Sequence, residues 1–87
     1  MQPADRDKLR QMRVELVKTI DVRKVLDQLV QDNIILDEEH ERILRKATSQ
    51  ERARELLDIL PSRGPRAFSC FVNSLRDEYH WLAEKLS

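Results

Sequence analysis

Most of the residues that usually carry chemistry are scarce in this sequence. Of 87 residues one is glycine, so there is no glycine-rich loop to cradle a phosphate. One is cysteine, Cys70. That excludes an internal disulfide and agrees with a reducing compartment. The two histidines, His40 and His80, lie far from each other and from Cys70, and match no zinc-ligand spacing. Aromatic residues make up only 5% of the chain, so any core must be built from aliphatic side chains. No apolar run approaches the ~20 residues that span a bilayer, and Met1 to Arg10 is too polar for a signal peptide. The expectation is a cytoplasmic chain with no metal, no cofactor and no membrane partner.

A catalytic Cys70 would need a base within hydrogen-bonding reach and a site that lowers its pKa. It stands between Phe68 and Phe71 on an amphipathic stretch with no histidine motif beside it. It reads as a packed thiol, and the chain as a non-enzyme. Charge of one sign is also lacking in excess, since 16 basic and 16 acidic residues cancel. Non-specific nucleic-acid binding rests on surplus positive charge. A small helical DNA-binding domain, with Arg6, Arg10 and Arg13 on its reading helix, is therefore the weaker alternative.

What remains is apolar and charged, 40% and 37% of the residues, a mixture that favours helices. Apolar positions recur at helical spacing, and stop signals divide them into six segments. The first carries Leu9, Met12, Leu16, Val17 and Ile20. Val14 falls off that stripe, which predicts a bend or a second covering surface. Asp21 is placed to cap a second segment holding Val22, Val25, Leu26, Leu29 and Val30. Asp32-Asn33 signals a turn, and Ile34, Ile35 and Leu36 form an apolar connection expected to be buried. Asp37 is placed to cap the third segment, with His40, Ile43, Leu44 and Ala47. Thr48 and Glu51 have the spacing of a capping box, ahead of Ala53, Leu56, Leu57 and Leu60. Pro61 to Pro65 is the strongest break. Gly64 suits a left-handed position there, and Pro65 the first turn of the next helix. Phe68, Phe71, Val72 and Leu75 follow, then a short last segment from about Tyr79 with Trp81, Leu82 and Leu86. The connections are short, so neighbouring helices should pack antiparallel. The expected architecture is one all-α domain over residues 1–87.

The charges are segregated. Arg6, Lys8, Arg10 and Arg13 cluster on the first helix and Arg52 and Arg54 on the fourth. Asp27, Asp32, Asp37, Glu38, Glu39 and Glu41 fall on the second helix, its turn and the third. One explanation is a pair of solvated faces that keep the domain soluble. The other is a pair of complementary patches through which copies or relatives dock head-to-tail.

Beyond these patterns, the whole chain resembles the caspase recruitment domain of the death-fold superfamily. Ala4-Asp5-Arg6 through Leu9-Arg10, Arg13, Glu15 and Leu16 is similar to the first helix of apoptotic initiator caspase prodomains. Asp27, Leu29 and the run Asp32 to Leu36 are similar to the second helix and its turn. The run Leu57-Asp58-Ile59-Leu60-Pro61-Ser62-Arg63-Gly64-Pro65, with Ala67-Phe68, Phe71 and Leu75, is similar to the junction between the fourth and fifth helices in the RAIDD adaptor and the caspase it recruits.

The resemblance implies six antiparallel helices in a Greek-key bundle, the first of them kinked. It implies homotypic binding to another caspase recruitment domain, in an initiator caspase or its adaptor, with homo-oligomers as a further possibility. It also implies that basic residues of the first and fourth helices (Arg6, Arg10, Arg13, Arg52, Arg54) meet acidic residues of the second and third (Asp27, Asp32, Glu38, Glu39, Glu41). Arg13 and Arg54 match the family's basic contact positions, and Asp27 and Glu41 match or neighbour its acidic ones. Gln50 stands where a relative carries another arginine.

Overall fold

Several helix ends lie where the sequence supplies a partner for unpaired backbone groups. The computed structural model describes residues 1–87 and contains α1 (Pro3–Thr19), α2 (Leu26–Gln31), α3 (Asp37–Leu44), α4 (Ser49–Ile59), α5 (Ala67–Leu75) and α6 (His80–Leu86). Two 3-10 turns, Val22–Lys24 and Leu60–Ser62, precede α2 and prolong α4. No residue lies in a β-strand.

Pro3 opens α1 at a position where its missing N–H is not needed. The helix then runs as one element to Thr19. Val14 is exposed, at 67% of its full area, so no second surface covers it. Asp21 caps the 3-10 turn rather than α2, its carboxylate accepting from the Arg23 backbone N–H. The Arg23 guanidinium adds two further bonds to the same carboxylate, at 3.1 Å each. Those side-chain bonds hold the Asp21 carboxyl below the usual range despite a small opposing effect of burial. The 3-10 turn displaces the start of α2 to Leu26, which makes α2 shorter than its apolar stripe suggests.

The end of α2 is closed by a Schellman motif. Asn33 adopts the left-handed conformation, with φ of 62°. Its N–H donates to Val30 O at 3.0 Å, and the Ile34 N–H to Leu29 O at 2.9 Å. Leu29 and Ile34, the pair that such a motif brings together, are both buried. Ile35 is buried too, but Leu36 is 52% exposed. It occupies the cap position of α3, so Asp37 is the first helical residue rather than the cap. At α4 the Thr48 hydroxyl accepts from the Glu51 N–H at 3.1 Å, as expected. Glu51 makes no return bond, so only half of that capping box forms. Gly64 lies at φ of 87° after the Leu60–Ser62 turn, a conformation costly for any residue with a Cβ. Pro65 belongs to the turn before α5, not to its first helical turn.

A single core joins all six helices. α1 packs on α4 and α6, α2 on α3 and α5, α3 on α4, and α5 on α6. Leu16, Leu26, Leu29, Ile43, Leu56, Leu60, Phe71, Leu75, Leu82 and Leu86 are wholly buried in it. The Tyr79 hydroxyl accepts from the Asp21 N–H at 2.9 Å and so ties the α1–α2 connection to the start of α6. The radius of gyration, 11.6 Å, is about the value of ~12 Å expected for a compact chain of this length. Three residues besides Leu36 that were assigned to the core lie outside it. Leu44 and Trp81 are exposed, as is Ala47: α3 stops at Leu44, and Trp81 lies off the face of α6 that buries Leu82, Ala83 and Leu86.

Truncating Phe71 or Leu57 to alanine should therefore lower unfolding stability by ~2–5 kcal/mol, read as a shifted denaturant midpoint. An unchanged midpoint for either variant would remove that side chain from the core.

Candidate functional site

The apolar stripes of α1 and α4 face each other, and this sets the outward-pointing charges of both helices side by side. Arg13, Val14, Val17 and Lys18 of α1 line one shallow groove with Gln50 and Arg54 of α4. Arg6, Leu9, Arg10 and Arg13 line an adjoining groove with Leu57, Asp58 and Pro61. Arg13 is common to both. The spacing of four and three residues between Arg6, Arg10 and Arg13 keeps them on one face of α1.

These cations are not equally available. The Arg13 guanidinium lies 3.0 Å from the carboxylate of Asp58, and Arg10 makes an exposed pair with Asp7 at 3.0 Å. Arg6 donates to the Pro61 carbonyl at 3.2 Å. Arg54 is exposed and has no carboxylate partner within the chain. Asp58 lines the groove and was not singled out by the charge clusters. The available signal was its position four residues after Arg54, which puts both on the same face of α4.

Arg52 departs from its expected place on the basic surface. Two residues from Arg54, it points to another side of the helix. Its guanidinium donates to the Lys46 carbonyl at 2.9 Å. Arg52 therefore braces the α3–α4 connection, and its charge is felt at Asp21, not in the groove with Arg13.

The acidic residues divide in the same way. The Asp27 side chain is 90% exposed and stands 3.4 Å from His40 Nε2. It lines a separate groove with Arg23, Lys24, Gln28, Asp77 and Glu78. Asp32 accepts from the Gln28 side chain at 3.1 Å. Glu38 is exposed, and Glu41, also exposed, lies 3.6 Å from Arg45. None of the four lines either groove between α1 and α4. Asp77 and Glu78, from the α5–α6 connection, join Asp27 in that groove, where Glu78 lies 3.5 Å from the Lys24 ammonium. They escaped the sequence reading because only the tertiary packing of α2 on α5 brings them there.

Glu39 is the clear correction. It is 7% exposed and cannot belong to an acidic surface. One carboxylate oxygen accepts from the Leu36 N–H at 3.0 Å, capping α3 from within. The other pairs with the Arg63 guanidinium. This inward pair fastens the start of α3 to the connection between α4 and α5. A carboxylate so deep is tolerable because both oxygens are engaged.

Nothing here is arranged for catalysis. Cys70 is buried, with the Arg66 guanidinium 3.8 Å from its sulfur. His40 lies against Asp27 and His80 against the Trp81 ring, so neither offers the thiol a base. No group of three or more potential ligands gathers to hold a metal ion. No helix is long and apolar enough to cross a membrane.

The structure is an all-helical module with charged surfaces, and known proteins resemble it. Residues 6–87 match the caspase recruitment domain family. The chain is similar to caspase-2 of Gallus gallus, 32% identical over 77 residues, covering 88% of this chain and 18% of that protein. It is similar to apoptotic protease-activating factor 1 of Danio rerio, 31% identical over 87 residues, covering 99% of the chain and 7% of that protein. Against caspase-1 of Felis catus it is 38% identical over 66 residues, covering 75% of the chain and 16% of that protein. The chain thus spans less than a fifth of each of these relatives.

It belongs to the caspase recruitment domain family, and its six helices are those of the death fold. It is an apoptotic interaction module that binds other domains of its kind and is not itself catalytic. Neither the fold nor the relatives favour DNA binding.

Because Glu39 acts inside the fold, Glu39→Gln and Arg63→Met should each destabilise the domain, by about 1–3 kcal/mol. The double variant should cost less than the sum of the two, since the pair is already broken by either change. Additive losses in chemical denaturation would show that the two side chains are not coupled.

Proposed function

We propose that the groove between α1 and α4 receives the exposed carboxylates of α2 and α3 from another caspase recruitment domain, and that this contact gathers an initiator caspase in the cytosol. The observation that carries this reading is the meeting of Arg13 and Arg54, with Lys18, in one groove that none of Asp27, Asp32, Glu38 and Glu41 enters. A body with separate patches of opposite sign docks head-to-tail, and such contacts repeat rather than close on themselves. Charge complementarity steers the encounter and fixes its register.

Each exposed ion pair contributes only ~0.2–1 kcal/mol, so several must act together. Arg54 and Lys18 can engage a partner directly, whereas Arg13 must exchange Asp58 for the incoming carboxylate. The domain would then work by concentration. Tethered proenzymes meet at an effective concentration that reaches the millimolar range for short linkers, and no chemistry is asked of the module itself. Whether the parent is an adaptor or a caspase is a finer matter. The run Leu57 to Pro65 supports a RAIDD-like adaptor or its partner caspase, and the residues from Ala4 to Leu16 support a caspase prodomain.

Arg13→Glu should abolish binding to a cognate recruitment domain while the circular dichroism spectrum and melting temperature stay near wild type. Asp27→Arg should do the same from the other patch. Normal binding by either variant at physiological salt would exclude that residue from the contact.

A further inference from the structure

One carboxylate in the basic groove is not explained by the fold. Asp58 lies in the last turn of α4, which holds no basic residue, and a carboxylate there meets the negative end of the helix dipole. Its side chain is 62% exposed, and its one ionic partner is Arg13, at 3.0 Å. As a strut between α1 and α4 the pair contributes little, since both members are open to water. The other carboxylates of α4 are used differently. Glu55 is shared between Arg42 and Lys46, 3.7 Å from each. Glu51 lines a hollow beside Arg54 with Lys46 and Glu55. Asp58 borders both that hollow and the groove of Arg6, Arg10 and Arg13. It stands four residues after Arg54, within reach along the helix, but a base that precedes an acid is the weaker order for such a pair. Asp58 turns across to α1 instead, so one cation of the surface is held and the other is left free.

We propose that Asp58 is a built-in competitor, which occupies Arg13 in the unbound domain in place of a partner's carboxylate and so sets how tightly the groove binds. The inference rests on the charged docking proposed above and assigns its regulation to a residue of the receiving surface itself. Arg13 is competent for a partner only while its pair with Asp58 is open. The apparent affinity falls in proportion to the fraction of molecules in that state. An exposed pair of ordinary strength leaves about one-sixth to two-fifths of them open, so Asp58 weakens binding about two- to sixfold. Arg54 and Lys18, in the adjoining groove, carry no such restraint and can make the first contact. A partner that offers charge alone then gains little at Arg13, because one ion pair is exchanged for another.

The test compares wild type, Asp58→Asn, Arg13→Gln and the double variant. Each is titrated against the immobilised recruitment domains of the three relatives compared above, and each is melted alone. Asp58→Asn should tighten Kd about two- to sixfold without lowering the melting temperature, since it removes a carboxylate from the end of a helix. In the Arg13→Gln background the same change should leave Kd where it is, because no guanidinium remains to be released. An equal gain in both backgrounds would mean that Asp58 acts by general repulsion of an acidic partner, and would overturn the proposal. So would a lowered melting temperature with weaker binding, the mark of a structural carboxylate. If Asp58→Asn binds as wild type while Arg13→Glu fails to bind, the charged docking stands and the competitor falls. Retained binding by Arg13→Glu would remove the docking reading and this inference with it, as would failure of all three domains to bind wild type and Asp58→Asn alike.

Discussion

The packing of α1 against α4 is the contact on which the rest of the molecule depends. Leu9, Leu16 and Val17 on one helix and Ala53, Leu56 and Leu57 on the other are buried, and burial of aliphatic surface at ~25 cal/mol per Å² is the dominant force available to a chain with so few aromatics. Once these stripes meet, the residues beside them have no freedom to be elsewhere. Arg13 and Arg54 are brought to one groove as a by-product of hiding leucines. The charged surface is thus positioned by the core and needs no dedicated loop, which fits a chain with one glycine.

The domain has to keep opposite charges apart on a body whose longest dimension is 29 Å. It does so by assigning some charges to internal work. Glu39 and Arg63 form an inward pair that joins α3 to the α4–α5 connection, and Arg52 braces the α3–α4 connection through the Lys46 carbonyl. Asp58 holds Arg13 and gives the basic groove a carboxylate of its own. In the docking we propose, a partner displaces it, which lowers the gain from that pair and raises the weight of shape and apolar contact in deciding which domains bind.

Much of the fold was legible because its signals are local. Thr48 caps α4, Asn33 and Gly64 take the left-handed conformation at helix ends, and the leucine spacing places α4 and α5. Misplaced elements came from competition between neighbours. Asp21 bonds Arg23 two residues on and opens a 3-10 turn, so α2 begins later than its apolar stripe. Leu36 and Leu44 were expected in the core but sit at the two ends of α3, and Trp81 lies off the buried face of α6 formed by Leu82, Ala83 and Leu86. Among the charged residues, Asp27, Glu38 and Glu41 are exposed as helical spacing suggests. Glu39, between two exposed acids, is not. Composition cannot separate it from Glu38, because the difference lies in Arg63, 24 residues away.

The sequence alone determined that this chain is helical, that it has one aliphatic core and no equipment for catalysis, and that its charges fall in blocks. Those properties depend on residue type and on spacings of three or four, both of which are written along the chain. Only the tertiary structure decided which charges share a surface. It brought Arg13 to Arg54, sent Arg52 and Glu39 inward, added Asp77 and Glu78 beside Asp27, and left Val14 and Leu36 uncovered. Each outcome depends on which helices lie next to one another, and that is settled by the burial of the whole core at once.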